Sequence, residues 1–196
     1  KCKEILYRGL LETSDDPDSQ IPFKLHDFGA RGVSSAESAA LGGMAHLVNF
    51  AGTDTMEALE AAMTWYGADV AGFSIPAAEH STMTSWGRER EVDAYRNMLV
   101  QFGRPNALVA VVSDSYDLGN AVENLWCGRL KDEVRKSGAT VVIRPDSGDP
   151  VEMPLKVMET LWQHYGGSEN SKGARVLHPS VRVIQGDGMK LDTIRQ

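Results

Sequence analysis

The sequence predicts an α/β protein built from repeated strand–loop–helix units. Three observations carry that prediction. Apolar runs recur as short strands, most clearly Ala107–Val112 and the β-branched Val141–Ile143, with the unbroken apolar character of strands buried on both faces. Stretches of helical periodicity follow them, as in Tyr95, Met98, Leu99 and Phe102, so strand and helix alternate as in a parallel sheet with right-handed crossovers. Every strand, not one or two, ends in a polar or charged cluster. An open doubly wound sheet and an incomplete (β/α) barrel both fit the alternation; convergence of many strand ends on one site favours the barrel.

The elements follow in order. Residues 4–11 read as the end of a preceding helix and 13–20 as an acidic loop, so residues 1–20 stand before the partial barrel of 21–196. Phe23–Phe28 is the first strand expected, followed by Gly29-Ala-Arg-Gly32. Ser34 and Glu37 form a capping box for a small-residue helix reaching about Met44. His46–Phe50 is the second strand. The helix after Gly52-Thr-Asp-Thr55 is expected to bury Met56, Leu59, Met63 and Tyr66. Ala71–Ile75 is the third strand and Ala107–Val112 the fourth, its helix marked by Leu118, Ala121, Val122 and Leu125. The fifth strand ends at Arg144, with Asp149 as N-cap and Pro150 opening a helix of Leu155, Met158, Leu161 and Tyr165. A polar loop over 166–180 leads to the sixth strand, Val181–Gln185, and the Gly186-Asp-Gly188 turn. A full barrel has eight strands. Six of them, no initiator Met and an end at Gln196 in a helical pattern make a piece of something longer the expectation.

Composition bounds the function. The formal net charge is -7 and no basic run occurs, which argues against nucleic acid or an anionic membrane surface as partner. No apolar stretch approaches the roughly 20 residues of a membrane span, and no signal peptide is recognisable. Two cysteines, Cys2 and Cys127, make no disulfide framework or metal clip, which leaves the cytoplasm as the default. His26, His46, His164 and His178 have no partner at a metal-ligand interval.

The chemistry-bearing residues lie at strand ends. Arg144 and Asp146 are a cation and a carboxylate two apart past a strand: a local ion pair, or an arginine for phosphate with a carboxylate facing a sugar. His80 follows Glu79 after the third strand, where Glu79 or Asp114 could orient its ring. Asp54 with Glu57, and Asp114 with Asp117, have the spacing of helix caps, and a cap can also touch substrate. Arg31 lies between glycines that let backbone approach a ligand. Phe28 is core or a stacking ring, and the glycines around Asp187 would admit a ribose.

Together, His26-Asp-Phe-Gly-Ala-Arg-Gly-Val-Ser-Ser35, Gly52-Thr-Asp-Thr55, Pro76-Ala-Ala-Glu-His-Ser-Thr82, Ser113-Asp-Ser-Tyr-Asp117, Ile143-Arg-Pro-Asp-Ser-Gly148 and Val183-Ile-Gln-Gly-Asp-Gly188 resemble the nicotinamide phosphoribosyltransferases, of the type II phosphoribosyltransferase family. The resemblance spans nearly the whole sequence in order. It implies an irregular (β/α) barrel, a homodimer, and transfer of phosphoribose from 5-phosphoribosyl 1-diphosphate to nicotinamide with Mg²⁺, giving nicotinamide mononucleotide and diphosphate. It implies Phe28 stacked on the pyridine ring, Arg31 on nicotinamide and phosphates, and Asp54 accepting from the carboxamide nitrogen. His80 is similar to a phosphorylatable histidine that couples ATP hydrolysis to turnover. Arg144 is implied to bind substrate and diphosphate, Asp146 the ribose side, Gly186 and Asp187 the ribose hydroxyls, and Asp114 to support the histidine. Ala30 stands where the family commonly has an aromatic residue. The resemblance also implies a ring-sandwiching aromatic from the other subunit and 5′-phosphate loops, both outside this sequence. Three rivals stand beside it: the sister enzyme using nicotinic acid, a non-catalytic barrel fragment, and a barrel hydrolase or aldolase. A strand-end Lys or a metal cluster, which the last would need, is not found in the sequence.

Overall fold

The computed structural model describes residues 1–195, which group into two compact units meeting between Ser74 and Ile75. The first contains α1 (Cys2–Thr13), α2 (Pro17–Gln20), β1 (His26–Asp27), α3 (Ala36–Leu47), β2 (Gly52–Thr53) and α4 (Met56–Tyr66). β1 and β2 pair in parallel, His26 opposite Gly52 and Asp27 opposite Thr53, and Phe73 bridges in parallel to Gly52.

Several expectations for this unit are corrected. The acidic loop contains α2, which Asp16 starts by accepting from the Ser19 N–H at 3.2 Å. The first strand shrinks to His26–Asp27 because Ile21–Phe23 forms a 3-10 turn. Residues 46–50 are not a strand: α3 continues to Leu47, and the Phe50 N–H still donates to the His46 carbonyl at 3.0 Å. The strand comes after it, where the His46 ring nitrogen meets the Gly52 carbonyl at 2.8 Å. The cap of α3 is Ser35, not Ser34, its oxygen accepting from the Ser38 N–H. The third strand is reduced to the Phe73 bridge.

The buried face of α4 is also not the expected one. Met56, Met63 and Tyr66 are 70%, 57% and 79% exposed, whereas Ala58, Ala61 and Ala62 are buried. Small residues win because α3 packs on α4 almost backbone to backbone. A Cβ added to Gly43 of α3 would meet the Ala58 Cβ at 2.5 Å, and a methionine there would hold the helices apart.

The second unit contains α5 (His80–Thr84), α6 (Glu91–Phe102), β3 (Leu108–Val112), the turn α7 (Leu118–Asn120), a π-helix (Ala121–Arg129), α8 (Lys131–Ser137), β4 (Thr140–Arg144), α9 (Glu152–Tyr165), β5 (Gly167–Glu169), β6 (Arg175–Leu177), β7 (Val181–Val183) and α10 (Leu191–Ile194). Its sheet is parallel in the order β3–β4–β7, with Val112 opposite Arg144 and Ile143 opposite Val183. Val109, Val111, Val112, Val141 and Ile143 are completely buried, as both-face burial requires. The core closes around them with Tyr95, Trp126, Leu130, Val134 and Leu161.

Asp149 caps as expected, accepting from the Val151 and Glu152 N–H groups, although regular helix begins only at Glu152. Of the stripe expected on α9, Leu161 and Tyr165 are buried beside Val157, while Leu155 is exposed. The loop over 166–180 holds an antiparallel hairpin, β5 on β6, turned by Asn170, whose side chain accepts from the Lys172 and Ala174 N–H groups. The sixth strand is three residues, Val181–Val183. The fold is thus mixed α/β with parallel sheets. Among the described residues no helix is long and apolar enough to cross a membrane.

Candidate active site

The register of the second unit builds a cluster at the carboxyl ends of its strands. With Val112 opposite Arg144, the next residues, Ser113-Asp114 and Pro145-Asp146, emerge side by side, tied by the Ser113 N–H donating to the Arg144 carbonyl at 3.0 Å. Past β7 the ladder continues, the Gly186 N–H donating to the Pro145 carbonyl at 3.0 Å. On the other flank of β3, the Ala78 N–H donates to the Ala110 carbonyl at 2.9 Å. That pairing delivers Glu79 and His80 beside Asp114.

The side chains then interlock. His80 Nε2 lies 2.9 Å from Asp114 Oδ1, and its Nδ1 lies 3.7 Å from Asp146 Oδ2. The other Asp114 oxygen accepts from the Asp146 N–H at 2.9 Å and from the Ser147 hydroxyl at 2.6 Å. Arg144 Nη2 donates to Glu79 Oε1 at 2.8 Å and stands 3.8 Å from Asp146 Oδ2. Gly186 is needed where it is: a Cβ there would collide with the Asp146 carboxylate and come within 3.2 Å of Arg144 Cδ. Asp187, the next residue, is exposed.

These surroundings drive the two aspartates apart. Burial raises the Asp114 carboxyl, but hydrogen bonds from Ser147, His80 and the Asp146 N–H, with the charge of His80, outweigh it and hold the group below the ordinary carboxylate range. Asp146 goes the other way. Burial pushes it up, the charges of Arg144 and His80 oppose this only in part, and the nearby Asp114 and Glu79 add to the rise. Carboxyls separated in this way are suited to different roles.

The first unit has its own cluster, built by the same logic. β1 ends in Asp27-Phe28, β2 in Asp54, and the Phe73 bridge in Ser74. Asp54 Oδ1 lies 3.0 Å from His26 Nε2 and also accepts from the Ser74 hydroxyl. It makes no cap: Thr55 is the N-cap residue without a side-chain cap bond, and its N–H turns to Thr53 Oγ1 at 3.0 Å. Phe28, half-buried, packs its ring 4.6 Å from that of His26 at 32°. Arg31 is exposed in a 3-10 turn over Ala30–Gly32.

Within the second unit the structure therefore gathers His80, Asp114, Arg144, Asp146 and Gly186, and within the first it sets Phe28 and Asp54 about His26. Of the two candidates for orienting His80, Asp114 does so and Glu79 instead pairs with Arg144. Asp117, not Asp114, is the cap, accepting from the Asn120 N–H at 3.0 Å. Sequence reasoning passed over Ser147, Ser74 and His26 as site residues. Ser147 and Ser74 carried no signal beyond their place just past a strand, while His26 was tested only as a metal ligand. Among the described residues no three His, Cys, Asp or Glu side chains gather as a metal site.

The carboxyl ends of these parallel strands carry an arginine, a histidine and paired aspartates, the place where α/β enzymes of the parallel-sheet class hold their ligands. The comparison is specific: residues 23–196 match the nicotinate phosphoribosyltransferase (NAPRTase) family, and the chain belongs to that family. It is 62% identical over 195 residues to the nicotinamide phosphoribosyltransferase of Xanthomonas campestris pv. campestris (strain 8004), covering 100% of this chain and 42% of that protein. The nicotinamide phosphoribosyltransferase of Acinetobacter baylyi is 34% identical, over 85% of this chain and 36% of its own length. That of Mycoplasma pneumoniae is 33% identical, over 98% and 42%. The chain thus spans about two fifths of the curated relatives it matches.

Proposed function

We propose that this chain is the central part of a nicotinamide phosphoribosyltransferase, which joins nicotinamide to 5-phosphoribosyl 1-diphosphate and releases nicotinamide mononucleotide and diphosphate in NAD salvage. The observation that carries the reading is the row Glu79–Arg144–Asp146–His80–Asp114, an alternation of anionic and basic side chains held at 2.8–3.8 Å across the ends of β3, β4 and the Pro76–Ala78 segment that bridges to β3. Loss of diphosphate leaves a cationic centre at C1 of ribose. Asp146 faces that developing charge; Arg144 and His80 face the departing diphosphate. Gly186 and Asp187 take the ribose hydroxyls, Gly186 by leaving room for them beside Asp146. Asp114 holds the His80 ring in one orientation.

In the first unit, Phe28 offers its ring to the pyridine, Arg31 its charge, and Asp54 its carboxylate to the amide N–H. Mg²⁺ enters with the substrate, bound by phosphates and at most one or two carboxylates. ATP is the coupled, stimulating substrate, its phosphoryl group accepted by His80. In the full-length protein the repeated βα units continue into an irregular (β/α) barrel of the type II phosphoribosyltransferase kind, working as a cytoplasmic homodimer.

The test is turnover by the full-length protein with Mg²⁺, 5-phosphoribosyl 1-diphosphate and either pyridine. Nicotinamide mononucleotide should form from nicotinamide with the larger kcat/KM, and His80→Ala should lose ATP stimulation while keeping some basal rate. Preferred use of nicotinic acid would point to the sister enzyme, and equal ATP stimulation in the variant would make His80 structural.

A further inference from the structure

We propose that Trp126 is a positioning residue for the His80–Asp114 pair, acting through Ser113 from inside the core; this rests on the functional reading just given. Trp126 is completely buried, and so is Ser113, the first residue past β3 and the immediate neighbour of Asp114. The indole Nε1–H donates to Ser113 Oγ at 3.0 Å, and that hydroxyl donates in turn to the Val111 carbonyl at 3.0 Å. With its N–H committed to the Arg144 carbonyl at 3.0 Å, Ser113 is held by both side chain and backbone. The next residue then has little freedom, and its carboxylate is the one 2.9 Å from His80.

Core packing alone does not explain this arrangement. A purely apolar ring would fill the same space, whereas an indole N–H in a dry core is tolerated only with its acceptor in place. Trp126 is itself held from two further directions, by Tyr95 and by Tyr165. Its ring stacks on Tyr95 at 4.7 Å and 12°, the Tyr95 hydroxyl is tied to the buried Glu91 at 2.8 Å, and its carbonyl accepts from the Tyr165 hydroxyl at 2.7 Å. It also lies in the π-helix, where the Leu130 N–H reaches back five residues to the Leu125 carbonyl at 2.8 Å. Such runs are rare and concentrate near functional sites.

The experiment is a double-mutant cycle in the full-length protein, with Trp126→Phe, Asp114→Asn and the pair. Turnover and thermal melting are measured for each. Trp126→Phe keeps the stacked ring and removes the N–H. It should lower kcat about tenfold, leave the nicotinamide KM within about twofold, and add less than about twofold once Asp114 is already Asn. Should Trp126→Phe fail to fold, Ser113→Ala takes its place in the same cycle, since it removes the acceptor and keeps the indole. The same loss of kcat in both backgrounds, or a lower melting temperature with kcat per folded molecule unchanged, overturns the proposal and leaves Trp126 as packing. An Asp114→Asn protein with full activity overturns the functional reading of the pair, and this inference with it.

Discussion

On the proposed function the choice of pyridine turns on Asp54, and the structure makes Asp54→Asn a clean perturbation. A loss of helix capping would have confused the result, but the Asp54 side chain caps nothing. Asparagine keeps the shape of the side chain and an oxygen toward His26 and Ser74, and removes the charge. In the proposed pose nicotinamide donates its amide N–H to this carboxylate, whereas nicotinic acid sets a second carboxylate against it. Two unit charges about 4 Å apart repel by roughly 4 kcal/mol at an effective dielectric near 20, and by about 1 kcal/mol in water. The Asp54 side chain is 35% exposed, which places it between these limits. A working value is therefore about 2 kcal/mol, or roughly thirtyfold in relative kcat/KM. The assay is full-length turnover with each pyridine, parent against variant, with folded fraction determined by melting. The ratio of nicotinamide to nicotinic acid use should fall by about that factor. An unchanged ratio would refute the electrostatic reasoning and return the choice of substrate to other groups.

Further expectations concern the second unit. Arg144→Ala should raise the KM for phosphoribosyl diphosphate far more than that for nicotinamide, at a cost of about 2–5 kcal/mol; a fall in stability alone would make Arg144 a local ion pair. In the same variant the acid limb of kcat/KM, set by Asp146, should move to higher pH, because the guanidinium that partly holds this carboxyl down is gone; a limb that stays or moves down contradicts the assignment. Gly186→Ala should lose phosphoribosyl diphosphate affinity and about 1–3 kcal/mol of stability, since its Cβ has no room beside Asp146; normal affinity would show that the aspartate can shift freely. Asp114 is depressed in the folded protein, so its contribution to stability is present above the unfolded carboxyl value of about 3.9 and is lost as pH falls through the folded value. The urea midpoint of Asp114→Asn should therefore fall furthest below the parent near neutrality and converge with it in acid.

What could be read from the sequence follows from how local the determinants are. β3 and β4 were legible because their valines and Ile143 are buried on both faces, so no packing choice could disguise them. The helix at Ala36 was legible in kind but not in extent: Leu47-Val48 reads as strand by propensity, and only the hydrogen bonds to Met44 and His46 keep it helical. The α4 face was misread because periodicity ranks Met63 and Tyr66 above alanine, whereas close approach to Gly43 selects the alanines. At the site, Arg144, Asp146 and His80 announced themselves by charge at strand ends. Which carboxylate serves His80 and which serves Arg144 depends on sheet order, with the Pro76–Ala78 segment beside β3, and no local pattern encodes that neighbour. Trp126 gave no signal, since a buried tryptophan and a positioning tryptophan have the same spelling.

The hairpin of β5 and β6 lies just before β7, and so at the amino end of the sheet, where the Thr140 hydroxyl meets the Pro179 carbonyl at 2.8 Å. The second unit's side chains proposed for the chemistry leave from the carboxyl end. This polarity makes the two ends unequal under insertion and labelling. One residue added between Val112 and Asp114, or between Ile143 and Asp146, would rotate a functional carboxylate to the wrong face. The exposed tip at Lys172-Gly173 turns on Asn170 and stands apart from the carboxyl ends of the strands, so a short loop, affinity tag or fluorophore there can be carried without disturbing the strand register.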